Sequence, residues 1–332
     1  MVLLLAAPAA ADLRPRDTLI GMPSAGSARI SAGAATSRYA VDDGSGATVA
    51  IAVTAACRET CTAAEPQQIA NFLGTLVHGP EMELLTVQLD TPSQVDFDCG
   101  YGAQACYYGL QNKIVIGGND TPAEDGASRE FVLAHEYGHH VARHRLSPAP
   151  FPPAIDWGTA RWSSHERICQ LRRDRRVFPG SFGLHYFRDP GEAFAEAFAR
   201  ARFPVGAPPW RWLPALKPDD RALRAIRRDT LRPWRGRTAL RLRGRVPPRR
   251  GRPAVRAFRT PLDGKVSLRP RGARRYLLRL TSRSGHLLRS APRGLGFGNR
   301  LDFTVCGQTR LRLALRSAIR SGGAFRLLIQ RP

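Results

Sequence analysis

The chain has almost no lysine. Lys113, Lys217 and Lys265 are the only three, so nearly all of its 51 basic residues are arginine. Beyond a short apolar start, no run approaches the roughly 18–20 apolar residues a membrane helix needs, which excludes a helical span there. No repeated CxxC pair is present, which argues against a cysteine zinc site. No repeat of solenoid length appears either, excluding a stacked-repeat fold. With 43% hydrophobic and 23% charged residues, the composition is globular rather than disordered. The 332 residues suffice for two cores.

Acidic residues are scarce in one region only. Residues 207–332 carry 33 Lys+Arg against 5 Asp+Glu, a net of +28. Residues 126–206 carry 12 against 8, and residues 1–125 carry 6 against 14, giving +4 and −8 within the total of +24. Arginine this dominant, beside abundant Ala, Gly and Pro, is what a GC-rich coding sequence produces by itself. It is also what attracts an acidic surface, a nucleic acid or an anionic envelope polymer. Charge of this kind sets attraction, not chemistry.

The chain opens on Met1-Val2-Leu3-Leu4-Leu5-Ala6-Ala7-Pro8-Ala9-Ala10-Ala11. An apolar core ending in small residues reads as a secretory signal peptide over 1–11, although no Lys or Arg precedes it. The expectation is therefore a secreted, extracellular protein. Cys57/Cys61 and Cys99/Cys106 are closely spaced, while Cys169 and Cys306 are isolated. In an exported chain disulfides are the default, and the two local pairs are expected, with a Cys169–Cys306 bridge as a further option.

Periodicity organises the rest. Residues 12–40, rich in Ala, Gly, Ser and Pro, read as a flexible lead-in. Residues 47–56 have the β-branched content of a strand. Ile69, Phe72, Leu73, Leu76 and Val77 fall at helical spacing, predicting a helix over 64–77. Strands are expected over 83–89 and 113–117. Asp189 suits an N-cap and Pro190 the first helical position. Residues 207–237 read as an Arg/Pro-rich linker with some helix over 218–229. From 238 to 332 short apolar alternations recur (Leu240, Leu242; Val266, Leu268; Leu301, Phe303, Val305; Leu311, Leu313, Leu315), separated by turns, which predicts a small β-sandwich.

One motif carries chemistry. His135-Glu136-Tyr137-Gly138-His139 is an HExxH sequence inside an apolar stretch of helical character. Residues four apart on a helix share a face, roughly 6 Å apart. Two imidazoles so placed can reach one zinc ion, with Glu136 beside them to take a proton from water. A catalytic zinc needs a third protein ligand. Ala142 and Arg145 occupy the Gly and His positions of HExxHxxGxxH, so that extension is absent. An Asp in a Gly-Thr-x-x-Asp context is absent too, because Gly158-Thr159 continues as Ala160-Arg161-Trp162. Glu192 and Glu196 stand one turn apart on an otherwise small, apolar segment, where an acidic pair calls for a cation or His partners. Glu192 is expected as the third ligand and Glu196 as acceptor for a ligand imidazole N–H. Asp189 and Glu192 also have capping-box spacing, which would explain Glu192 without a metal. His140 faces off the side of the helix that carries His135 and His139 and is expected either to support a ligand or to lie at the surface, while His144, His165, His78 and His286 read as ordinary histidines.

On these residues the chain resembles the gluzincin group of HExxH metallopeptidases. Glu192-Ala193-Phe194-Ala195-Glu196-Ala197-Phe198 looks like the ligand helix of the anthrax lethal factor type. Phe131 to Val141 is similar to the helix of bacterial neutral zinc metallopeptidases. The likeness spans roughly residues 95–200 and is strong only at these two helices. It implies an α+β, zincin-like metallopeptidase domain over 41–206, one catalytic Zn²⁺, a protein or peptide substrate, and Tyr186 as oxyanion donor, with His185 as the alternative. The competing expectation is a secreted surface- or nucleic-acid-binding protein acting through its basic residues 238–332.

Overall fold

A computed structural model describes residues 34–118, 127–181, 183–248, 250–271, 276–290, 300–307, 310–317 and 320–332. The signal peptide expected over 1–11 and most of the lead-in lie outside these residues. The chain is mixed α and β.

The lead-in expected over 12–40 ends early: Ala35–Ala40 form an edge strand, β1, antiparallel to β2 (Thr48–Val53). Short α1 (Ala55–Thr60) and α2 (Glu65–Gly74) follow. The strand expected from residue 83 begins later, because Pro80–Leu84 coil as a 3₁₀ turn whose Glu81 meets Arg145 at 2.8 Å. Then come β3 (Thr86–Asp90), α3 (Pro92–Cys99), β4 (Ala105–Tyr108) and β5 (Lys113–Gly117). These strands form one sheet in the order β1-β2-β3-β5-β4. β2, β3 and β5 run parallel, while β4 closes the sheet as an antiparallel edge.

The helices α4 (Arg129–Arg143), α5 (Ala154–Trp157), α6 (Ala160–His165), α7 (Ile168–Arg173), α8 (Pro190–Arg202) and α9 (Asp220–Leu231) follow. Their apolar faces share one core with the sheet, from Ile51 and Leu89 through Leu133, Tyr137, Phe194 and Phe198. The stretch expected as a linker contributes Trp212, Leu216, Ala222 and Ile226 to that same core.

The remaining chain is all β: β6 (Thr238–Val246), β7 (Ala254–Arg259), β8 (Gly264–Arg271), β9 (Tyr276–Ser282), β10 (Leu287–Ser290), β11 (Leu301–Val305), β12 (Arg310–Ser317) and β13 (Gly323–Arg331). Two four-stranded sheets, β10-β9-β12-β7 and β11-β8-β13-β6, share one apolar core. Alternation explains it: Leu311, Leu313 and Leu315 point in, while Arg310, Arg312 and Arg316 are exposed.

All three cysteine pairs stand at bonding distance: Cys57–Cys61, Cys99–Cys106 and Cys169–Cys306. The last ties α7 to the β-rich region, beside Asp263, whose amide donates to Ser164 Oγ and whose carboxylate accepts from the Gly307 amide. Among the described residues no helix is long and apolar enough to cross a membrane.

Candidate metal centre

Helix α4 starts where the Ser128 hydroxyl accepts from the Phe131 amide. From Phe131 to Ala142 every residue is buried. His135 and His139, four apart, therefore face the interior together, with Nε2 atoms 3.2 Å apart. Helix α8 is capped by Asp189, which accepts from the Gly191 amide at 2.7 Å and from the Ser181 amide. Pro190 occupies its first turn. The Glu192 carboxylate turns instead to the imidazoles, with Oε2 3.4 Å from His135 Nε2 and 3.5 Å from His139 Nε2. Capping thus belongs to Asp189, leaving Glu192 for the histidines.

The two helices meet closely because Gly138 has no side chain. A Cβ there would lie 2.9 Å from Ala195 Cα and 3.1 Å from Phe198 Cβ.

His135, His139 and Glu192 are buried and bring ligand-capable atoms within 4.8 Å of one another, so they could hold a metal ion. Cys169, Asp263 and Cys306 also cluster, but those thiols are bonded to each other and have no thiolate to offer.

The surroundings bias the charges. Burial opposes a proton on His135, yet Glu192 and Glu196, with the charge of Glu136, raise it to about 9. Glu192 is held well below the carboxylate range despite its burial, by His139 and His135. Such a carboxylate, facing two imidazoles, is a ready-made cation site. Glu136 is different. Its two oxygens are buried without a hydrogen-bond partner, and burial pushes it up to about 7 against the pull of His135 and His139. The Tyr107 amide lowers it slightly without reaching hydrogen-bond geometry. Glu136 is therefore poised between its two protonation states near neutral pH.

Glu196 lies behind His135, its Oε2 3.4 Å from Nδ1. Its other oxygen accepts from Arg200 at 2.9–3.0 Å. Arg200 in turn donates to the Pro208 carbonyl and lies over the Trp210 ring. Tyr186 donates to Glu192 Oε2 at 3.0 Å. Burial, then the charges of Glu192 and Glu136, hold its phenol well above the ordinary value, so it keeps its proton. His185 stacks on Phe178 instead.

His140 is buried: Nε2 donates to the Glu81 carbonyl and Nδ1 meets the Tyr107 hydroxyl. Burial lowers it to about 4, so it stays neutral. His144, His165 and His78 meet Asn112, Asp219 and Asp43.

Two neighbours escape the sequence reading. Trp212 packs its ring 5.9 Å from His135 out of a stretch whose Arg and Pro content signals a linker. Arg200 carried a usable signal, standing four residues after Glu196 on one helix face. The chain matches no protein-family model and no curated protein.

Proposed function

We propose that the chain is a secreted zinc-dependent endopeptidase of the gluzincin kind, with a zincin-like catalytic region over 41–206. The observation that carries this reading is the spacing of three atoms. Zinc ligands about 2.0–2.1 Å from the ion at tetrahedral angles stand about 3.3–3.4 Å from each other. The three separations here are 3.2, 3.4 and 3.5 Å. Two nitrogens and one carboxylate oxygen, leaving a fourth position for water, are a donor set typical of catalytic zinc.

A zinc ion held there would activate a water by lowering its pKa toward about 7 and would polarise a substrate carbonyl. His135, His139 and Glu192 would hold the ion. Glu196, anchored by Arg200, accepts the His135 Nδ1–H and so fixes which nitrogen faces the metal. Glu136, without a competing partner, takes the proton from the attacking water and passes it to the leaving amine. Tyr186, whose hydroxyl donates to Glu192 Oε2 in this structure, would turn to the oxygen that becomes negative, an interaction worth about 3–4 kcal/mol.

Three disulfides suit an oxidising, extracellular setting. The test is metal analysis of the purified protein alongside casein digestion with and without chelator. Absence of bound zinc, or digestion indifferent to chelator, refutes the reading.

A further inference from the structure

The second sheet of the β-rich region presents a surface that catalysis leaves unused. Strand register sets Arg243, Arg326 and Arg271 in one row across β6, β13 and β8. One pleat along, on the same face, stand Arg241, Leu328 and Arg269; one pleat the other way, Arg245 is beside Ala324. All six arginines are exposed, and among the described residues none makes an ion pair. The one carboxylate of this sheet, Asp302, sits in β11, where Lys265 and Arg300 hold it.

Like charges directly opposed across strands weaken a sheet. A row of three with no acid between them therefore opposes folding unless an external anion meets it. Among the described residues the face carries no aromatic side chain, so it lacks the stacking platform used by proteins that bind single-stranded nucleic acid. Its charges extend in two directions, about 4.8 Å between strands and about 6.8 Å between pleats. A linear polyanion can follow only one row at a time, whereas a planar array of phosphates meets all six guanidinium groups at once.

We propose that this face docks the protein on an anionic phospholipid surface. The experiment is co-sedimentation of the full chain with vesicles of phosphatidylcholine alone and of phosphatidylcholine mixed with phosphatidylglycerol, at low and high salt. Binding is expected only to the mixed vesicles, weakening as salt rises. The triple variant R243Q/R271Q/R326Q should bind on the order of 100-fold more weakly, and R326Q alone about fivefold. A charge-matched variant on α9, R224Q/R227Q/R228Q, should stay within a few-fold of the parent. Melting curves check that each variant is folded; should the triple variant misfold, R326Q decides. Three outcomes overturn the proposal: no binding to mixed vesicles, equal losses for the two triple variants, or capture by duplex DNA through the same arginines while vesicles are ignored.

Discussion

Gly138 and Ala195 bring α4 and α8 so near that a side-chain carbon on the glycine would lie 2.9 Å from the alanine Cα. That approach sets how far Glu192 reaches toward His135 and His139. Gly138→Ala must push the helices apart, at about 1–3 kcal/mol. Denaturant unfolding should register that loss, and chelator competition a metal affinity at least tenfold weaker. Unchanged affinity would show that the spacing does not control the site.

Glu136 and Glu192 are both buried acids, yet their variants should differ. Glu136→Gln should retain metal and lose about 10²–10⁴ in turnover. Glu192→Ala should lose the metal itself. Metal content measured beside peptide hydrolysis separates the two, and near-normal turnover in Glu136→Gln would remove it as the base.

Arg200 acts through Glu196. Arg200→Met leaves a buried carboxylate without its cation, costing about 2–4 kcal/mol. It also frees Glu196 to turn from His135, so zinc affinity should fall about 10–100-fold. Titration against a chelator reads this directly, while Arg200→Lys should recover part of it.

Asp263 gives a pH signature. Burial raises its pKa from 3.8 to about 6 against the pull of the Gly307 amide, Arg173 and Arg167. The folded state then holds more protons than the unfolded one between these values, so stability falls as pH rises through about 4 to 6. Asp263→Asn keeps an acceptor for Gly307 and removes that slope, a difference of about 1–3 kcal/mol by pH 7. Denaturation midpoints from pH 4 to 7 test it; parallel profiles for the two proteins would rule it out.

The Cys169–Cys306 bridge closes a span of 137 residues. Replacing both cysteines with serine should cost about 2–5 kcal/mol, because the unfolded chain regains the freedom the bridge removes. Thermal unfolding of the double variant is the measurement.

Local signals were legible where one short segment settles the matter. The HExxH spacing alone places both imidazoles on one helix face, and Asp189-Pro190 marks the start of α8. The alternation after residue 238 predicts the strands that share the β-rich core. β1 escaped because Ala35–Ala40 are mostly exposed and polar, and are held by pairing with β2 rather than by periodicity.

The sequence by itself determined which side chains are able to ligate, which face of each helix is apolar, and where charge accumulates, since these follow from residue type and period. Only the tertiary structure decided that Glu192 faces the imidazoles rather than its own helix end, that Trp212 lies against His135, and that three arginines align in one row. Each depends on how distant segments approach, and close packing, as at Gly138, sets those approaches to within a few tenths of an ångström.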